Sequence, residues 1–168
     1  MSRFLDLQES LLGCLTVALT ANPHPPAEFC LRAGDVAADI GPNVDVCCSG
    51  LAWVKVRRSF PSETLPNPIT TEGRCIHTRW ALELEMGVWR CYPSGDGEGD
   101  PPTCAEYETA VVQLDFDALA MRKALCCFRA VPAALEVVAG EYTANGPLGG
   151  CIAGIQSLLV LTDCAECT

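Results

Sequence analysis

An α+β domain is what this sequence predicts: a mainly antiparallel sheet packed with two principal helices. Three observations carry that prediction. Two long segments place apolar residues at three-and-four spacing, the mark of a helix with one buried face. Other segments are rich in Trp and Val or alternate apolar with polar residues, as strands do. Their order is helix, several strands, helix, two strands, with no internal repeat and no low-complexity tract. A length of 168 residues suits one domain over 1–168, large enough to bury a core.

Residues 2–21 predict the first helix. Phe4, Leu7, Leu11, Cys14 and Ala18 form its stripe, widened by Leu12, Leu15 and Leu19, while Glu9, Gly13, Thr16 and Thr20 make a narrow opposite face. Asn22-Pro23-His24-Pro25-Pro26 stops it, because proline donates no amide hydrogen bond and restricts the residue before it. Short strands are expected at 28–32 and, after Gly41-Pro42-Asn43, at 44–48. A firmer strand covers 51–60, with Trp53, Val54 and Val56.

Pro61, Pro66, Pro68 and Gly73 mark 61–74 as a long exposed loop. The clearest strand spans 76–91. Ile76, Trp80, Leu82, Leu84, Met86 and Val88 share one parity and His77, Arg79, Glu83 and Glu85 the other, which predicts one buried face and one wet face. A second loop, 92–102, is rich in Gly, Pro and Asp.

Thr103 with Glu106 three residues on, directly after Pro101-Pro102, is a capping box that opens the second helix. Val111, Leu114, Ala118, Met121, Leu125 and Phe128 line one face of it to about Arg129. Two closing strands, 135–142 and 152–162, are joined across Asn145-Gly146-Pro147-Leu148-Gly149-Gly150, where Asn-Gly favours the reversal.

Composition narrows the function. Hydrophobic residues make up 49% and charged residues 19%, which argues against disorder. No run approaches the roughly 18 uninterrupted apolar residues of a membrane helix. Arg3 is the sole early positive charge and Asp6 and Glu9 follow it, so no secretory leader is expected and the chain reads as soluble and made in the cytoplasm. The net charge is −10, from 11 Lys and Arg against 21 Asp and Glu. Arg57-Arg58 and Arg122-Lys123 are too few cations to grip nucleic-acid phosphates, whereas an acidic surface lets nucleic acid slide past.

Twelve cysteines stand out. A disulfide scaffold belongs to small secreted domains without a core, and this chain has core enough, so most are expected as reduced thiols. Cys14 and Cys126 fall where a helix wants a small buried hydrophobe. The candidate bridges are Cys91 with Cys104, and Cys151 with Cys164 or Cys167.

Each constellation that could carry chemistry has a simpler explanation. Cys164-Ala165-Glu166-Cys167 has the spacing of a zinc or redox pair, but Cys47-Cys48 and Cys126-Cys127 are poor further ligands, since neighbouring side chains seldom point at one ion. Cys75 and His77 lie two apart on a strand; a nucleophile there needs a third group, and an exposed His77 is the plainer account. His24, between prolines, is a loop residue. Glycines 140, 146, 149, 150 and 154 precede a strand rather than a helix and have no lysine, so they are hairpin chemistry rather than a phosphate cradle. Glu83 and Glu85 are expected to be solvated. No catalytic residue, cofactor site or metal site is predicted.

The element order, together with Leu51-Ala52-Trp53-Val54-Lys55-Val56, Phe60-Pro61-Ser62, Cys91-Tyr92-Pro93 and the closing hairpin from Gly140-Glu141-Tyr142 to Gly149-Gly150-Cys151-Ile152-Ala153-Gly154, resembles neck proteins of long-tailed phages infecting actinobacteria. The tail terminator is the nearest match among them. That resemblance implies a virion structural protein forming a six-fold ring. The ring would cap the tail tube protein, meet the head-side connector or stopper protein, and pass DNA without specific binding or any membrane partner. It further implies inter-subunit contacts from the two loops and the hairpin tip, at Pro61, Leu65, Pro66, Pro68, Tyr92, Pro93, Gly149 and Gly150. The alternatives are a head-completion (stopper) protein of the same neck, whose β-barrel character two long helices oppose, and a cysteine-rich metal or redox module.

Overall fold

The computed structural model describes residues 3–33, 44–69, 79–93 and 101–163. Among them the chain forms α1 (Arg3–Thr20), β1 (Glu28–Leu31), α2 (Val44–Ser49), β2 (Leu51–Pro61), β3 (Arg79–Cys91), α3 (Cys104–Phe128), β4 (Glu136–Leu148) and β5 (Cys151–Asp163). The fold is α+β, as the sequence predicts. The five strands make one sheet in the order β1-β2-β3-β5-β4. β1 runs parallel to β2 and every other pairing is antiparallel.

Periodicity decides which side of the sheet each residue serves. Ala52 and Val54 of β2, Leu82, Leu84, Met86 and Val88 of β3, and Leu158 and Val160 of β5 meet Leu7, Leu11, Leu15 and Leu19 of α1 and Met121, Ala124 and Phe128 of α3. That is the main core. α1 and α3 are held together by a bridge between Cys14 and Cys127. α3 opens as the sequence predicts: Glu106 N donates to the Thr103 hydroxyl, and the Thr103 amide donates to the Glu106 carboxylate at 2.7 Å.

Several expectations are corrected. The segment at 44–48 is a helix, not a strand. A short apolar run has no decisive period of its own, and two sulfur bridges fix this one against the sheet. The second face of β3 is not wet along its length. Trp89 packs there with Trp53, Leu51, Cys47, Cys151 and Ala153 in a smaller second core. Farther along that face Glu85 pairs with Lys55 at 3.3 Å, and Glu83 pairs with Arg57 and Arg58. Gly87 makes room for this arrangement, since a Cβ at that position would overlap the Trp53 indole.

On α3, Val111 is 66% exposed, while Asp117, Ala120 and Ala124 join Leu114, Ala118, Met121, Leu125 and Phe128 inside. The closing hairpin turns at Gly149-Gly150, both with positive φ, rather than at Asn145-Gly146, which lies within β4 beside a register shift. Adjacent glycines adopt left-handed backbone at no steric cost, so they outcompete Asn-Gly for the reversal.

Cysteine pairing also differs from expectation. Cys91 is bonded to Cys48 instead of Cys104, and Cys151 to Cys47 instead of Cys164 or Cys167; those last two lie outside the described residues. Six of the nine described cysteines are paired, and Cys30, Cys104 and Cys126 are free. Cys126 is exposed, and its neighbour Cys127 makes the bridge. Cys75 and His77 lie outside the described residues.

Candidate interaction surface

The end of the sheet where β3 stops and β5 starts gathers the chemistry of this chain. Arg90 shares the parity of Leu82, Leu84, Met86 and Val88, so its side chain enters the helix-covered side. Asp117 shares the apolar stripe of α3. The two meet there: Arg90 Nε donates to Asp117 Oδ2 at 2.8 Å and Nη2 donates to Oδ1 at 2.7 Å. Their side chains are only 5% and 1% exposed.

Two further hydrogen bonds extend the pair. Asn22, just past α1, donates to Asp117 Oδ1 at 3.3 Å, and Arg90 Nη2 also donates to the His24 carbonyl at 3.0 Å. One buried guanidinium thereby ties β3 to α3 and to the proline-rich turn after α1. Gly50, at the end of α2, has φ +84°, and a Cβ there would stand 2.8 Å from Arg90 Nη1 and 2.9 Å from Pro26 Cα. Only glycine lets the α2–β2 turn approach this closely.

Over the ion pair lies a cleft of about 920 Å³. Pro23, His24 and Pro25 line it from the turn after α1, and Glu108, Val112, Gln113 and Phe116 line it from α3. Cys48 and Ser49 close it on the side of α2. Val112 is 54% and Phe116 39% exposed, and with Val111 and Leu119 they form an apolar outer surface on α3. Among the described residues no group of three potential ligands is placed to hold a metal ion. The cleft offers apolar side chains rimmed by polar ones, which suits recognition of another chain.

The residues expected at contacts are scattered. Pro61 ends β2, Leu65 and Pro66 lie in a tight turn closed by the Thr64–Asn67 bridge, and Pro68 follows it. Buried Ser62 pins that turn, its hydroxyl donating to the carbonyls of Thr64 and Asn67 at 3.0 and 2.8 Å. The remainder of that loop, from 70 to 78, lies outside the described residues. Tyr92 and Pro93 continue β3. The Tyr92 amide donates to the Gly150 carbonyl at 2.8 Å, and its ring lies 5.7 Å from that of Tyr107 on α3. Tyr92, Pro93, Gly149 and Gly150 are therefore brought together near the cleft, while Leu65, Pro66 and Pro68 follow Pro61, which pairs with Trp80 at the opposite end of β3.

Sequence reasoning missed Arg90, Asp117, Cys47 and Cys48 as partners. A signal existed for the first two. A carboxylate inside an apolar helical stripe and an arginine on the buried parity of a strand each demand an opposite charge in the core. For the cysteines no local signal existed.

No protein-family model matches this chain, and no curated protein is found similar to it.

Proposed function

We propose that this chain is a virion structural protein of a phage neck, a tail terminator that forms a ring by head-to-tail contacts between copies. One observation carries the reading: two unlike surfaces, an apolar helix face and an open strand edge, are exposed on one chain. The first is the outer face of α3, with Val111, Val112, Phe116 and Leu119. The second is β4, an edge strand exposed over most of its 13 residues, with Val138 and Leu148 outward.

Unlike surfaces that meet between copies give a heterologous contact, which closes into a ring when the rotation per subunit divides a full turn. β4 is one of the two sheet edges, so its outer side is open to such a contact. A net charge of −10 supports the conduit role, because DNA phosphates are repelled rather than held. In this reading six copies cap the tail tube and meet the head-side connector.

Electron microscopy of the purified chain, alone and mixed with tail tube protein, tests it. Rings with a central hole that stop tube growth are expected. A chain that stays monomeric at every concentration and leaves tube length unaltered would end the reading.

A further inference from the structure

We propose that the bridges Cys47–Cys151 and Cys48–Cys91 form a redox-controlled clamp that fastens α2 over the Trp53–Trp89 stack, and that the rest of the fold forms without it. Ring formation plays no part in this inference, which stands on the geometry of α2 alone.

The four sulfurs converge by topology. Cys91 and Cys151 are directly opposed on β3 and β5, so their side chains leave the same face of the sheet. Cys47 and Cys48 are consecutive on α2, and each reaches one of them. α2 has six residues, far below the roughly 12 that make an isolated helix even marginal in water. Its neighbours in the sheet are β3 and β5. Beneath it Trp53 and Trp89 stack at 5.8 Å, in a second core that includes Cys47 and Cys151 themselves. None of the four cysteines belongs to the main core between the sheet and the two long helices. Covalent bonds hold a cover that its own length cannot.

Exposure sets an order. Cys48 and Cys91 are exposed, whereas Cys47 and Cys151 are fully buried. A reductant reaches the outer bridge first, and only once α2 loosens does it reach the inner one. Closing runs by exchange with a small-molecule disulfide. One protein thiolate attacks it, forming a mixed disulfide and releasing one small thiol; the second protein thiolate then displaces the other small thiol. Each bridge forms as two protein thiols become one disulfide and one small disulfide becomes two thiols.

The test is a reductant titration of the full chain, with alkylation and mass spectrometry scoring each cysteine so that Cys14–Cys127 is followed separately. Cys48 and Cys91 are expected to label before Cys47 and Cys151. On the second step tryptophan emission shifts to the red and acrylamide quenching rises, while far-UV circular dichroism is retained. A variant with Cys47, Cys48, Cys91 and Cys151 all changed to Ser is expected to fold and to show the red-shifted spectrum without reductant. The clamp is disproved if the four cysteines label together as secondary structure is lost. It is equally disproved if emission and quenching stay unchanged once all four are labelled.

Discussion

The guanidinium of Arg90 and the carboxylate of Asp117 meet in a two-point grip, 2.8 Å and 2.7 Å, between the end of β3 and the middle of α3. Twenty-seven residues separate them in sequence. Breaking such a pair leaves one charge buried without its partner, a loss of about 3–5 kcal/mol. Asp117→Ala and Arg90→Ala are each expected to lower the unfolding free energy by that amount, and the urea midpoint in proportion. Replacing both by apolar residues of similar volume is expected to recover much of it. Equilibrium denaturation of the three variants checks the order.

Gly87 faces Trp53 across β2 and β3. Gly87→Ala forces the indole off its stack with Trp89, an overpacking cost of about 1–3 kcal/mol. Near-ultraviolet circular dichroism should lose the signature of the stack while far-ultraviolet signal persists.

Burial holds the Tyr142 phenol above its ordinary value of 10.0, with Asp117 and Asp115 adding to the shift. A group whose folded value is raised stabilises fully below the unfolded value, and that stability drains away as pH climbs through the folded one. Stability is therefore expected to fall above about pH 10. Tyr142→Phe removes this alkaline loss, and it also removes the hydroxyl's hydrogen bond to the Leu114 carbonyl at 3.2 Å, worth about 1 kcal/mol. Denaturation midpoints of both proteins across the alkaline range separate the two effects.

Glu106 behaves oppositely. Hydrogen bonds from the Thr103 backbone, then from its side chain, hold the Glu106 carboxyl below 4.5. Its stabilising contribution is present above that value and is lost as pH falls through the lower folded value. Thr103→Ala is expected to cost about 1 kcal/mol at neutral pH. It should also reduce the acid limb of the stability profile without abolishing it, because the backbone amide at position 103 still donates to Glu106, as thermal melts in acidic buffers would show.

Val112 is 54% exposed and Phe116 39%, so Val112→Asp and Phe116→Asp should leave the monomer folded, the second at a cost of about 1–2 kcal/mol for its lost partial burial. If α3 meets a neighbouring copy, the same variants abolish rings. Melting and electron microscopy on one preparation compare the two consequences.

The chain by itself determined whatever depends on neighbours a few residues away. The stripe Leu7, Leu11, Cys14 fixed α1, Thr103 with Glu106 fixed where α3 begins, and the parity of Leu82 to Val88 fixed one buried side of β3, though not the burial around Trp89 on the other. Periodicity is a local property, so a sequence displays it openly. Tertiary structure alone decided that 44–49 coils into a helix, that Cys47 reaches Cys151 across 104 residues, and that Arg90 ends beside Asp117. Those outcomes rest on contacts between distant segments. A sulfur or a charge in a one-dimensional string carries no record of which distant partner the packed sheet brings to it.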